Sequence, residues 1–141
     1  MRGFGAMGEC RREDAVELRS GEDIVRARQV VRSWAVAMGF RLVDQTKIVT
    51  AASELARNTV EYGGGGRLTL RWLVNSSRVG LRMDFSDQGP GIADLELAMK
   101  DGYSTGTGLG LGLSGARRLM SEFTIDSQLG AGTRVSATKW K

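Results

Sequence analysis

Residues 44–66 read DQTKIVTAASELARNTVEYGGGG. Ile48, Ala52, Leu55 and Thr59 recur every three or four positions, the period of one helical face, so the stretch predicts a helix over about 44–62. The run Gly63–Gly66 ends it, because residues without a side chain lose the most backbone freedom on becoming helical. Glu54 and Asn58 stand four residues apart near the end of this helix, about 40° from each other on one face. They border the apolar stripe, so a carboxylate and an amide oxygen can project into a cleft beside the core. On an ordinary surface helix the same pair would be a solvated face or a local hydrogen bond.

Upstream, Ile24, Ala27, Val31, Trp34 and Met38 repeat the helical period over 22–38, and Gly39 supplies a stop. Val16 and Leu18 alternate with polar neighbours in a short strand over 15–19. Residues 1–12 hold too little apolar material to dock, so they are expected to fray, leaving one folded domain over 13–141.

Downstream, Leu68, Leu70 and Trp72 alternate along 67–74, Asn75-Ser76-Ser77 reads as a turn, and Val79, Leu81, Met83 and Phe85 alternate on the return. That pattern predicts a hairpin. A short amphipathic segment over 95–99 leads to a glycine-dense stretch over 102–115, a helix over 113–120, and strands over 123–127 and 133–140. Helices that precede and interrupt a largely antiparallel set of strands predict an α/β two-layer sandwich.

Two loops carry chemistry. Asp87-Gln88-Gly89-Pro90-Gly91-Ile92 follows a strand directly. An acid there can accept a hydrogen bond from a base amino group, while Gly89 and Gly91 let the backbone approach a ligand. Standing alone, the string also suits a plain tight turn. In Gly106-Thr107-Gly108-Leu109-Gly110-Leu111-Gly112 every second residue is glycine, ahead of a helix. Such a ribbon can fold over a polyphosphate and turn its N–H groups to the anion.

Gly110-Leu111-Gly112-Leu113-Ser114-Gly115 also fits the dinucleotide pattern G-x-G-x-x-G. That pattern needs a strand before it and an acid about 20 positions on. Here Gly-Tyr-Ser-Thr-Gly-Thr-Gly precedes it and Val135 follows, so the context fails. No Gly-Lys-Ser/Thr follows the glycines, which removes a P-loop.

Composition narrows the chemistry further. A length of 141 residues suits one domain, and a formal charge of +4 suits phosphates or an acidic protein face. Basic residues are scattered rather than clustered with aromatics, so nucleic acid is not the expected partner. With no histidine and one cysteine, Cys10, the chain has no Ser-His-Asp triad, no histidine-ligated zinc and no internal disulfide. Arg32 and Arg41 interrupt the most apolar stretch, and the start lacks a secretory apolar run. The expected location is the cytoplasm, with no membrane partner.

Taken in order, Glu54/Asn58, Asp87-x-Gly89-x-Gly91, Gly106-x-Gly108-x-Gly110 and Gly130-Ala131-Gly132-Thr133 resemble the conserved boxes of the GHKL ATPase and kinase superfamily. DIVRARQ (23–29), VDQTKIVTAASELARN (43–58), DQGPGI (87–92), DGYST (101–105), RRLMSEF (117–123) and ATKWK (137–141) look like the RsbT-like serine/threonine switch kinases of stressosomes. The likeness runs from about Val16 to the end of the chain. The ribbon has the fuller Gly-Thr-Gly-Leu-Gly-Leu-Gly form, closer to the wider superfamily.

The resemblance implies a Bergerat fold with a mixed, mostly antiparallel sheet covered on one face by helices, and a site for ATP and Mg²⁺. It implies that Asp87 accepts the adenine amino hydrogen with help from Thr133, that Asn58 gives Mg²⁺ an oxygen, and that Gly106, Thr107, Gly108, Leu109, Gly110 and Gly112 close over the phosphates. Glu54 is the expected general base or nucleophile-orienting group. The implied partners are STAS-domain proteins of the RsbS and RsbR kind as substrates and, after release, an RsbU-like phosphatase. The alternative is an anti-sigma factor kinase resembling RsbW or SpoIIAB, which sequesters a sigma factor and phosphorylates an anti-anti-sigma protein.

Overall fold

The computed structural model describes residues 8–92, 99 and 112–141. In chain order these form β1 (Glu9–Leu18), α1 (Gly21–Ala37), α2 (Leu42–Arg57), β2 (Gly66–Asn75), β3 (Arg78–Asp87), α3 (Leu113–Leu119), β4 (Glu122–Gln128) and β5 (Gly132–Trp140). The strands make one sheet in the order β1-β2-β3-β5-β4. Every described pairing is antiparallel, so the parallel component of the expected mixed sheet is not seen among the described residues. The reason lies in the connections. Two hairpins join β2 to β3 and β4 to β5, and between β1 and β2 the chain passes through a pair of helices. Each helix reverses its direction, whereas a single crossover helix would return it parallel.

Alternation along the strands builds the core. Val16, Leu68, Phe85, Val135 and Ile125 stand side by side across all five strands. Leu70, Met83 and Ala137 form the next row, and all three are fully buried. Against these rows pack Ile24, Ala27, Val31 and Trp34 of α1, Ile48, Ala52 and Leu55 of α2, and Leu113 and Ala116 of α3. The helices cover that face alone. On the other face Asp84 accepts from Arg71 at 2.8 Å, from Arg82 at 3.0 Å and from the Ser136 hydroxyl, while Glu13 pairs with Arg71 and Glu17 with Arg67. An antiparallel sheet tolerates such a polar outer face.

Two boundaries depart from the sequence reading. Residues 9–12, expected to fray, belong to β1 and pair with β2. Their side chains are mostly exposed, so apolar alternation could not reveal them. Backbone pairing holds the segment, and the Arg12 guanidinium lies 4.4 Å from the centre of the Trp34 ring. The second helix is α-helical only to Arg57. Asn58–Tyr62 form a wider turn, closed by the Gly63 N–H donating to the Asn58 carbonyl at 3.0 Å.

At the start of α1 the Ser20 side chain makes no capping bond. Asp23 instead ties the helix to the segment ahead of it: its carboxylate accepts the Arg19 N–H at 2.8 Å and pairs with Arg26. The Arg19 N–H first, then Arg26, holds this carboxyl below its ordinary range against the opposing effect of burial.

Candidate active site

One step beyond the row Val16-Leu68-Phe85-Val135-Ile125, the same faces of the same strands carry Leu18, Gly66, Asp87, Thr133 and Ser127. Three of these five are polar, and they point where the helices would otherwise close the core. The Asp87 Oδ1 accepts the Gly89 N–H at 2.8 Å and the Thr133 N–H at 3.2 Å. Both bonds fall on the same oxygen, so the carboxylate is fixed in place from one side. The Thr133 and Ser127 hydroxyl oxygens lie 2.8 Å apart.

Asn58, Asp87 and Thr133 line one cleft, with Leu55, Phe85, Ile92, Leu113 and Val135 as its apolar wall. The end of α2 brings Asn58 to it, the end of β3 brings Asp87 and the start of β5 brings Thr133. An apolar slot with a few converging polar groups is the usual character of a small-molecule site.

Close backbone approach shapes the rim. A β-carbon on Gly63 would come within 2.4 Å of the Asp87 carboxylate, and one on Gly89 within 2.7 Å of the Gly63 backbone. One on Gly132 would meet the Asp87 carbonyl oxygen at 2.1 Å. These glycines are required by contact between segments distant in the chain. Gly91 combines φ +80° with a position against the Gln128 carbonyl, so it is excluded for other residues on both counts.

Three side-chain and backbone bonds tie down the 87–92 loop. The Tyr62 hydroxyl donates to the Gly91 carbonyl at 2.8 Å, the Ile92 N–H donates to Ser127 Oγ at 2.7 Å, and the Gly130 N–H donates to the Pro90 carbonyl at 2.9 Å. Tyr62 and Ser127 were not among the residues the sequence singled out, and Gly63 entered there only as part of a helix stop. Their partners lie up to tens of positions away, and no local pattern carries that information.

Glu54 is set apart from the cleft wall. Its carboxylate is half-buried, pairs with Arg57 at 3.3 Å, and packs so tightly on Gly112 that a β-carbon there would come within 2.4 Å of it. Gly112 has φ +79° and opens α3. The structure therefore brings Asn58, Asp87, Gly89, Gly91 and Thr133 to one cleft and its rim, and puts Glu54 beside Gly112, whose neighbour Leu113 lines that cleft. Gly106, Thr107, Gly108, Leu109 and Gly110 lie outside the described residues.

The donor set fits an adenine nucleotide. The apolar wall suits a flat base, and a carboxylate and a hydroxyl of complementary chemistry stand together in the same cleft. Among the described residues no group of three or more His, Cys, Asp or Glu could hold a metal unaided. Magnesium asks for less: it is commonly held by one or two protein oxygens plus phosphates and water, and Asn58 is the oxygen the cleft offers. Among the described residues no helix is long and apolar enough to cross a membrane.

Residues 43–141 match the family described as histidine kinase-, DNA gyrase B-, and HSP90-like ATPase, and the chain belongs to that family. Within it, the chain is 45% identical to the serine/threonine-protein kinase RsbT of Bacillus subtilis (strain 168), over 91% of this chain and 96% of that protein. It is 28% identical to the anti-sigma F factor of Thermoanaerobacter sp. (strain X514), over 81% of this chain and 82% of that one. Among solved structures, the RsbU and RsbW domains of Rv1364c from Mycobacterium tuberculosis superpose with a TM-score of 0.62 at 22% identity, over 92% of this chain and 33% of that longer one. The SiaB-SiaC complex from Pseudomonas aeruginosa gives a TM-score of 0.56 at 13% identity, over 98% and 94%. These two carry the fold.

Proposed function

We propose that this chain is a cytoplasmic protein serine/threonine kinase that uses Mg-ATP to phosphorylate STAS-domain regulatory proteins in a partner-switching pathway. The observation that carries the reading is the convergence of Asn58, Asp87 and Thr133 on one cleft with Glu54 at its edge, in a chain 45% identical to a serine/threonine-protein kinase.

Asp87, fixed through Oδ1, presents its remaining capacity to the base amino group, and Thr133 stands beside it. Asn58 supplies an oxygen toward the phosphates. When bound, Mg²⁺ supplies charge neutralisation for the phosphates. Gly106, Thr107, Gly108, Leu109, Gly110 and Gly112 cover the phosphate chain. Glu54 takes the proton as the substrate serine or threonine oxygen bonds to the γ-phosphorus and the bond from that phosphorus to ADP oxygen breaks. Phosphoryl transfer rests mostly on positioning and charge, so one carboxylate is enough for the proton. Arg57, paired with Glu54 at 3.3 Å, orients its carboxylate.

Released from its substrate scaffold, the kinase binds and activates an RsbU-like phosphatase, a binding role separate from transfer. A second reading, an anti-sigma factor kinase, draws support from the 28% identity to an anti-sigma F factor and is the weaker on that margin. Incubation with Mg-ATP and a purified STAS protein, followed by mass-spectrometric mapping, is expected to place phosphate on a serine or threonine of the partner. Absence of transfer, or capture of a purified sigma factor in a parallel pull-down, would count against the first reading.

A further inference from the structure

The inner faces of α1 and α2 are spent on the core, yet the outside of α1 carries exposed aliphatic side chains. Val25 and Val36 are each more than half exposed. On a helical wheel Val25, Arg28, Gln29, Arg32 and Val36 fall within about 100° of one another, so they form one stripe. Val25, Arg28, Gln29 and Arg32, with the buried Val49 of α2, line a hollow of about 260 Å³. Its charge is unbalanced. On the same pair of helices Arg26 pairs with Asp23 and Arg41 with Asp44, whereas Arg28 and Arg32 have no acidic partner among the described residues.

Arg28 and Arg32 stand one turn apart, about 6 Å along the helix axis, the same spacing as acids four residues apart on a second helix. Valines at the two ends of the stripe and arginines between them are matched by aliphatic anchors flanking acids, over about three turns of helix. Two copies of this chain joined groove to groove would set arginine against arginine, and residues 1–7 contain no acid to fold back. None of the stripe lines the nucleotide cleft, so a protein seated on it leaves that cleft free. That favours a partner that is bound over one that must present a hydroxyl to Glu54. We propose that the α1–α2 groove docks an acidic amphipathic helix of the phosphatase partner, with Arg28 and Arg32 pairing to its carboxylates and Val25 and Val36 meeting its aliphatic side chains. This rests on the phosphatase-binding role proposed above and gives it a surface separate from the nucleotide cleft.

Calorimetric titration of the full chain with the purified phosphatase, at low and high salt, tests the groove. Wild-type affinity is expected to fall as salt screens the pairing. Arg28→Glu with Arg32→Glu is expected to weaken binding about tenfold or more and to flatten that salt dependence, because like charges then face each other. Val25→Ser with Val36→Ser is expected to weaken it about three- to tenfold while keeping the salt dependence. Arg28→Lys with Arg32→Lys retains most of the affinity, and Arg11→Glu, a charge reversal on β1, leaves it unchanged. All of these variants should bind Mg-ATP as the wild type does, since none alters the cleft. Undiminished phosphatase binding by the double glutamate variant would overturn the proposal, as would an equal loss in Arg11→Glu or a parallel loss of Mg-ATP binding. A wild-type chain that fails to bind the phosphatase at all would overturn the phosphatase-binding role itself, a result distinguishable from the others.

Discussion

Two neighbouring rows of the sheet, about 7 Å apart along the strands, do opposite work. Val16, Leu68, Phe85, Val135 and Ile125 form a continuous apolar row, while Leu18, Gly66, Asp87, Thr133 and Ser127, on the same faces of the same strands, form a largely polar one. Nothing in the backbone distinguishes them. The difference is that α2 leaves the regular helical path at Asn58, and in the second row Asp87 and Thr133 face a cleft. The candidate nucleotide cleft opens on the last row of the core, where hydrogen-bonding side chains stand in place of apolar ones.

Substitutions at the site should therefore cost function and spare folding, and substitutions in the apolar rows should do the reverse. The largest effect is expected for Glu54→Ala: phosphate transfer slowed by about 10²- to 10⁴-fold, the usual worth of a general base, with ATP affinity retained. Parallel transfer assays and calorimetry check it, and unchanged transfer would remove Glu54 from the chemistry. Leu70→Ala, in a fully buried row away from the cleft, is expected to lower unfolding free energy by about 2–5 kcal/mol in denaturant titrations. The protein that remains folded should bind ATP normally.

Gly63→Ala probes the contact between the turn that follows α2 and Asp87. Its φ of −79° suits any residue, so the backbone accepts alanine, but the new β-carbon would press on the Asp87 carboxylate. ATP affinity is expected to fall roughly ten- to a hundredfold, as for loss of one charge-assisted hydrogen bond, with a small change in melting temperature. The smallest effect is at Asp23, which does not line the cleft. Its carboxyl is held below the ordinary range, so its contribution is fully present above about pH 4 and is lost as pH falls through its lowered value in the folded chain. Wild type and Asp23→Asn should differ in stability at neutral pH and converge in acid, as thermal unfolding across pH would record.

Much of this was legible in the sequence, because periodicity reports burial. The stripe Ile48-Ala52-Leu55, the alternation Leu81-Met83-Phe85 and the turn at Asn75-Ser76-Ser77 each encode their local structure directly. Asp87 was legible as well, as the polar residue that continues an apolar alternation into a glycine loop. The start of β1 was not, since Glu9–Arg12 form a charged edge held by backbone pairing. Gly63 reads in sequence as a helix stop, and only the fold reveals its contact with a carboxylate 24 positions on. Tyr62 and Ser127 act through bonds to Gly91 and Ile92, across 29 and 35 positions, and serine and tyrosine at such places carry no local signature.

Asp87→Asn puts the central claim to the most direct test, because it keeps the shape of the row and its Oδ1 acceptor while replacing the other carboxylate oxygen with an amide donor. Calorimetric titration with Mg-ATP, alongside the unfolding midpoint, is expected to show an unchanged fold and affinity reduced at least roughly tenfold. Undiminished ATP binding by that variant would contradict a base-reading role for Asp87, and with it the assignment of this cleft as the nucleotide site.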